Sequence, residues 1–213
     1  MPPHPYLLAD GTRVPGVTII IGRWKDAGPL MWWAAEQAKQ GKDYREVRDA
    51  AADAGTLAHR MVECDIRGIE FERDGYPDDV VAKAEQAFAM YLEWKAQTHL
   101  KPIATEVSLV SEHLKFGGTL DAMLVQDRLC LGDWKASKGV YPEYMIQLAA
   151  YGYLWNEHHP DEPITGGFHL LRFSKEHADF THHYWSNLDE AWEAFVLMRR
   201  LYEIDKRLKE RVK

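Results

Sequence analysis

Two carboxylates and one ammonium group stand at spacings that chemistry can use: Asp121, and then Asp133 and Lys135 in the triplet Asp133-Trp134-Lys135. Residues 119–125 and 129–135 are rich in apolar side chains, and Gln126-Asp127-Arg128 breaks them with polar groups, so the pair reads as a β-hairpin with a three-residue loop. With the turn centred on Asp127, Asp121 faces Asp133. Opposed side chains on an antiparallel pair have Cβ atoms about 4.5–5.5 Å apart, and two carboxylates held so close repel unless something positive sits between them. A divalent cation meets that need. Side chains alternate along a strand, so Lys135 shares the face of Asp133 and places an ammonium group where it holds or helps activate a water. An exposed hairpin can carry the same residues on its wet face without any chemistry, so the surrounding pattern has to decide.

That pattern continues on both sides. Gly117-Gly118-Thr119-Leu120 leads into Asp121, and Gln147 and Tyr151, at i and i+4, share one face of the helix that follows the hairpin. Together these segments resemble the PD-(D/E)xK nuclease superfamily, and within it the RecB-type exonucleases, whose signature adds a Gln-x-x-x-Tyr helix. Gly55-Thr56-Leu57-Ala58-His59 is similar to the segment from which such nucleases bring a histidine to the metal. Pro15-Gly16-Val17-Thr18 resembles the Pro-Ser-Val-Thr start of phage exonucleases and mitochondrial genome maintenance exonucleases, with Gly16 in place of serine. Thr18 is expected to cap a short helix there through its hydroxyl. Glu106, on the alternating stretch 105–110, resembles the acidic residue that precedes the Gly-x-x-Asp motif in relatives and approaches the metal directly or through water.

The resemblance implies an α/β fold: a restriction-endonuclease-like mixed β-sheet core flanked by helices, with an N-terminal helical part. It implies metal-dependent hydrolysis of phosphodiester bonds. Asp121 and Asp133, with His59 and the backbone carbonyl of Trp134, would hold one or two Mg²⁺ or Mn²⁺ ions. The imidazole tilts the preference toward Mn²⁺. Lys135 would orient or deprotonate the attacking water, while Gln147 and Tyr151 would position water or the DNA end. Arg60, Lys115, Lys138, Arg172 and Lys175 are the basic residues nearest this constellation, and Tyr141 and Tyr144 are the aromatic residues placed for substrate contact. The implied activity is that of a DNA exonuclease of phage or bacterial recombination, replication or repair, whose partners include a recombinase, a single-strand-binding protein or a helicase. A structure-specific or restriction-type endonuclease shares this hairpin chemistry. A DNA-binding module with a dead site is a third reading. RecB-type nucleases that fasten an iron–sulfur cluster use four cysteines, whereas this chain has two, Cys64 and Cys130, so no cluster is expected.

Composition bounds the rest. At 213 residues with 46% hydrophobic content and eight tryptophans, the chain has material for one core, so a single domain over 1–213 is expected, mainly helical over 1–100 and catalytic over 101–213. No run of eighteen apolar residues occurs, and Met1-Pro2-Pro3-His4-Pro5 lacks the basic and apolar regions of a secretory signal. The expectation is a cytoplasmic protein without membrane partners, in the bacterial host if the gene is a phage's. A net charge of −7 weighs against nucleic-acid binding through phosphates. A carboxylate site that binds metal ions inverts its local sign, so the formal sum overstates the negative field that DNA meets.

Periodicity and breakers give the elements: helices over 29–40, 43–67, 78–99, 142–158 and 188–212, and strands near Glu106, in the hairpin, over 164–173 and over 180–185. Trp32 and Trp33, adjacent on a helix and about 100° apart, fit the edges of one buried stripe, so core packing is expected of them. The paired histidines His158-His159 and His182-His183 lack acidic or cysteine partners at ligand spacing and read as surface residues.

Overall fold

In a computed structural model, which describes residues 5–72, 75–175 and 177–212, the hairpin becomes the centre of a five-stranded mixed sheet. Its strands are β3 (Lys101–Ser111), β4 (Phe116–Val125), β5 (Leu129–Ala136), β6 (Phe168–Phe173) and β7 (Phe180–Trp185). They lie in chain order, antiparallel except where β5 pairs parallel with β6. That parallel step needs a crossover, and α5 (Pro142–His158) supplies it. Two further short strands, β1 (Tyr6–Leu7) and β2 (Arg13–Val14), form a separate antiparallel pair for which residues 6–14 gave no readable pattern.

The strands feed two apolar layers, with the alternation on β4 changing phase between Leu120 and Ala122. Ala122, Leu124, Cys130, Trp134, Leu171 and Phe173 pack under α3 (Tyr44–Arg67) and α4 (Asp78–Gln97). Leu120, Met123, Leu131 and Leu170 pack with α1 (Val17–Gly22), α5 and α6 (Asp189–Arg211). The sheet is therefore covered on both faces, with the N-terminal helical part mainly on one of them. This is the expected architecture. Local signals set the long helix: the Asp43 side chain accepts from Arg45 N–H at its start, and Gly68, at φ +66°, ends it in the left-handed conformation that glycine adopts without steric cost. Both cysteines are buried free thiols. No helix among the described residues is long and apolar enough to cross a membrane.

Three expectations change. Strand β6 begins at Phe168, not Ile164: Ile164 N–H donates to the Asn156 side chain, Thr165 and Gly166 donate to the Leu129 carbonyl, and Gly167 takes φ +87°. Those four residues wrap the end of the hairpin before the chain can extend. Helix α1 is capped by Gly16 without a side-chain bond, and Thr18 lies inside it. The Gly16 backbone bridges to Gly117 and a Cβ on it would come within 2.9 Å of the Tyr6 ring, so close approach fixes that residue. Trp32 does not pack in the core: α2 (Gly28–Lys39) buries no residue, and Trp32 is 69% exposed. Apolar residues run without a break from Leu30 to Ala35, so they point in every direction round that helix and some must face outward.

A histidine pair ties the sheet to α4. Trp94 Nε1–H, a donor only, reaches His182 Nδ1 at 3.4 Å, so neutral His182 carries its proton on Nε2 and donates it to His169 Nδ1 at 2.8 Å. His182 is thus surface-exposed as expected, yet both its ring nitrogens are engaged. Burial, and then the His182 ring, depress the pKa of His169 to about 4. With an unfolded value near 6.5, the unfolded chain binds more protons between those limits, so this stability is complete above pH ~6.5 and lost as pH falls toward 4. His169 is 8% exposed, and the whole window amounts to about 3 kcal/mol. In chemical denaturation from pH 7 to 4.5, His169→Gln, which still accepts from His182 and cannot protonate, is expected to show a shallower loss of stability than the parent. Equal slopes would refute this account.

Candidate metal centre

The register of β4 on β5 pairs Ala122 with Gly132, Met123 with Leu131 and Val125 with Leu129, about a turn at 126–128. One residue beyond the last pair stand Asp121 and Asp133. Asp121 Oδ2 accepts from the Trp134 backbone N–H at 2.9 Å. Asp133 is fully buried, and the Lys135 ammonium lies 2.6 Å from its Oδ2. That contact is close but poorly aligned, so neither oxygen of Asp133 has a well-directed hydrogen-bond donor. A buried carboxylate left this way is costly in a metal-free protein.

His59, on α3, and Glu106, on β3, complete the group. Ligand atoms of His59, Glu106 and Asp121 all lie within 4.8 Å of one another, and this group could hold a metal ion. His59 Nδ1 is 3.7 Å from Asp121 Oδ2. Glu106 reaches this place through an unusual backbone. It has φ +55°, and the β3–β4 pairing skips from Thr105 to Val107. A non-glycine residue in the left-handed region costs about 1 kcal/mol or more and persists where surrounding structure holds it. Thr105 does so from the neighbouring position, donating its hydroxyl to the Asp121 carbonyl at 2.7 Å. Asp133 lies outside the group of three, committed to Lys135.

The electrostatics are those of crowded carboxylates short of positive charge. Burial, with Asp121 and Glu63 adding to it, pushes Glu106 up to about 7. Burial also raises Asp133 to about 7, the Asp121 charge adding and Lys135 opposing. Asp121 is raised by burial as well, against the pull of Lys135 and the Trp134 N–H. His59 falls to about 4, through burial and then the Lys135 ammonium, so at neutral pH it is an uncharged imidazole with the lone pair a metal needs. Lys135 is itself buried, but the two aspartates outweigh that effect and hold it above the ordinary lysine value. In the metal-free protein it is a cation and a donor. The donor set, the Asp133 Oδ1 that has no donor and the raised carboxylates all fit a divalent cation.

The surrounding shell explains the glycines. A Cβ on Gly118 would stand 2.6 Å from Tyr151 Cε1, and one on Gly117 2.3 Å from Tyr6 Cγ, so two tyrosine rings lie directly on this strand. Tyr151 accepts from Gln147 Nε2 at 2.8 Å, confirming the shared face of the pair, and the pKa of its hydroxyl is raised by burial and by Asp121 and Asp133. Tyr6 bonds Thr119 through their hydroxyls at 3.0 Å. Gly118→Ala is expected to force Tyr151 off its seat, costing about 1–3 kcal/mol of stability by overpacking. Chemical denaturation measures it, and an unchanged midpoint would contradict this packing.

A cleft of about 980 Å³ opens over the group, lined by His59, Arg60, Glu63, Glu106, Asp121, Lys135, Tyr144 and Lys175 among others. Of the residues anticipated for substrate contact, Arg60 and Tyr144 are on its wall, and Lys135 Nζ lies 5.3 Å from the Tyr144 ring centroid. Tyr141 stacks edge-on against Tyr144 farther out. Lys138 is exposed and off the wall. Arg172 is buried and spent on Asp179, 2.7 Å away, with Thr181 beside it, so it is a structural ion pair and not a phosphate contact. The sequence reading missed Glu63, which faces Glu106 and pairs with Arg67 at 2.9 Å. Its place one turn after His59 was a usable signal. Tyr6 left none, being 113 residues from Thr119.

No protein-family profile matches the chain, and no curated protein matches it in sequence. Among solved structures, that of a candidate exonuclease from Eubacterium rectale is similar at 15% identity and a TM-score of 0.45, covering 87% of this chain and 71% of that one. The structure of SSO0001 is similar at 16% identity and a TM-score of 0.34, covering 68% and 70%. Likeness at this level leaves the functional reading to the site itself.

Proposed function

We propose that this chain is one nuclease domain that hydrolyses DNA from its ends with Mg²⁺ or Mn²⁺, as a RecB-type member of the PD-(D/E)xK superfamily. The observation that carries the reading is the convergence of His59, Glu106 and Asp121 within 4.8 Å beside the Asp133–Lys135 contact. His59, Asp121 and Glu106 would hold the ion, with Asp133 and the Trp134 carbonyl adjoining. A divalent cation held there neutralises charge that develops on the phosphate. Lys135, kept charged by two aspartates, orients the attacking water by donating to it and shields the carboxylates from the phosphate. Tyr151 and Gln147, bonded to each other, fix the wall behind Asp121. Arg60 and Tyr144 face the incoming strand from the two sides of the cleft.

End-labelled single strands, linear duplex and closed circles, digested side by side with Mg²⁺, Mn²⁺ or EDTA and with Asp133→Ala as control, test the proposal. Metal-dependent loss of linear substrates alone supports it and gives the strand preference. Cut circles would replace it with an endonuclease, and no cleavage under any condition would leave a DNA-binding module.

A further inference from the structure

A second concentration of positive charge lies away from the metal centre, where the β3–β4 turn meets α6. A groove of about 490 Å³ there has His113 and Lys115 on one rim, Arg200 and Arg207 on the other, and apolar Leu114 and Val196 in its floor. Arg200 and Arg207 stand seven residues apart, so they share a helix face about 10 Å from each other. The two rims are one rigid unit, because Arg199 Nε donates to the carbonyls of Leu114 at 3.1 Å and Lys115 at 3.2 Å. Arg199 itself is engaged with Glu203, which removes the carboxylate of this groove from play. Lys115 is held at φ +55°, with its side chain exposed.

The groove gathers several cations without counter-charge in one place. Several cations elsewhere on this acidic chain are neutralised in pairs, as in Lys25–Glu143, Lys95–Asp65, Arg172–Asp179 and Lys209–Asp205. Among the described residues Arg200, Arg207 and the Lys115 ammonium make no ion pair, and Asp10 is attracted to Lys115 only at longer range. Several uncompensated cations on a rigid apolar floor attract a polyanion with regularly spaced charges.

We propose that this groove holds the phosphodiester backbone of the nucleic-acid strand remote from the point of cleavage. The identity of the polyanion rests on the nuclease reading above. Lys115 is six residues before Asp121 on the β4 side of the turn, which places the groove about 20 Å from the metal group at roughly 3.3 Å per residue. That span corresponds to about six nucleotide steps at 3.4 Å each. Longer strands therefore engage both places, and shorter ones engage one.

The test is fluorescence anisotropy of labelled single-stranded and duplex oligonucleotides against salt, in EDTA, where no cleavage is needed. Arg200→Glu/Arg207→Glu is expected to weaken binding at least about tenfold and to reduce the slope of log affinity against log salt by about 2. The neutral pair Arg200→Gln/Arg207→Gln, expected to lower the slope in the same direction, covers the case in which charge reversal disturbs folding. The substrate form that shows the larger loss is the one the groove holds. Unchanged affinity and slope for both forms and both variants would overturn the proposal while leaving metal-dependent cleavage intact. A lowered slope in a protein that cuts nothing would uphold the groove and sink the nuclease reading instead.

Discussion

Asp121→Asn is expected to abolish metal-dependent DNA cleavage, lowering kcat/KM by about 10³-fold or more, or about 4 kcal/mol of barrier. Asp121 is the one carboxylate that belongs to the ligand group, borders His59 and receives the Trp134 N–H. Asparagine keeps the shape and, through its carbonyl oxygen, that hydrogen bond. It loses the charge that attracts a cation. Folding should therefore survive, with a thermal midpoint in EDTA close to the parent's, while the rise in that midpoint on adding Mn²⁺ disappears. Linkage makes the second reading independent of activity, since an ion bound only by the folded state stabilises it in proportion to its occupancy. A variant that cut DNA normally would remove this cluster from consideration.

Lys135→Met is expected to destabilise the metal-free protein by about 3–5 kcal/mol at neutral pH, as well as to stop cleavage. Removing the ammonium leaves Asp133, fully buried, and Asp121 beside each other without compensation. The pH dependence fixes the sign. Both carboxylates have folded pKa values raised above their unfolded ones, so their cost is absent at low pH, where both states are protonated, and grows as pH rises through the carboxylate range toward 7. The deficit of Lys135→Met should thus shrink on acidification and on addition of a divalent cation. Adding Asp133→Asn to it removes both buried charges and is expected to recover most of the stability and none of the activity. A single variant as stable as the parent at pH 8 would show that Lys135 does not compensate these carboxylates. The same buried carboxylates that are costly without an ion are the ones that could hold one.

How much of this was legible in the linear chain depends on the range of the interaction. The Asp121 and Asp133 relation was readable because strand alternation has a period of two and the loop has three residues, so counting from Asp127 fixes the register. The shared face of Gln147 and Tyr151 followed from helical spacing, and the long helix over 43–67 from its periodicity. His59 was found by its glycine-threonine setting, which distinguished it from nine other histidines that spacing alone could not rank. These are local rules acting over a few residues.

The rest was decided by tertiary contact. Glu106 was expected near the metal from the acidic residue it resembles, but alternation along its strand says nothing of the positive φ with which it meets His59 and Asp121. Arg172 has the right type and lies near Lys135 across the β5–β6 ladder, but Asp179 takes its charge. The two glycines before Asp121 counted in the sequence only as part of the motif, and the structure shows that the Tyr6 and Tyr151 rings lie against them. Trp32 has the composition of a core residue and faces outward, because α2 carries more apolar surface than its neighbours can cover. The basic groove joins residues more than eighty positions apart, and no periodicity connects a turn to a distant helix. Short-range geometry determined which side chains share a face in this protein. The three-dimensional packing determined which of those faces meet, and burial there set their charges.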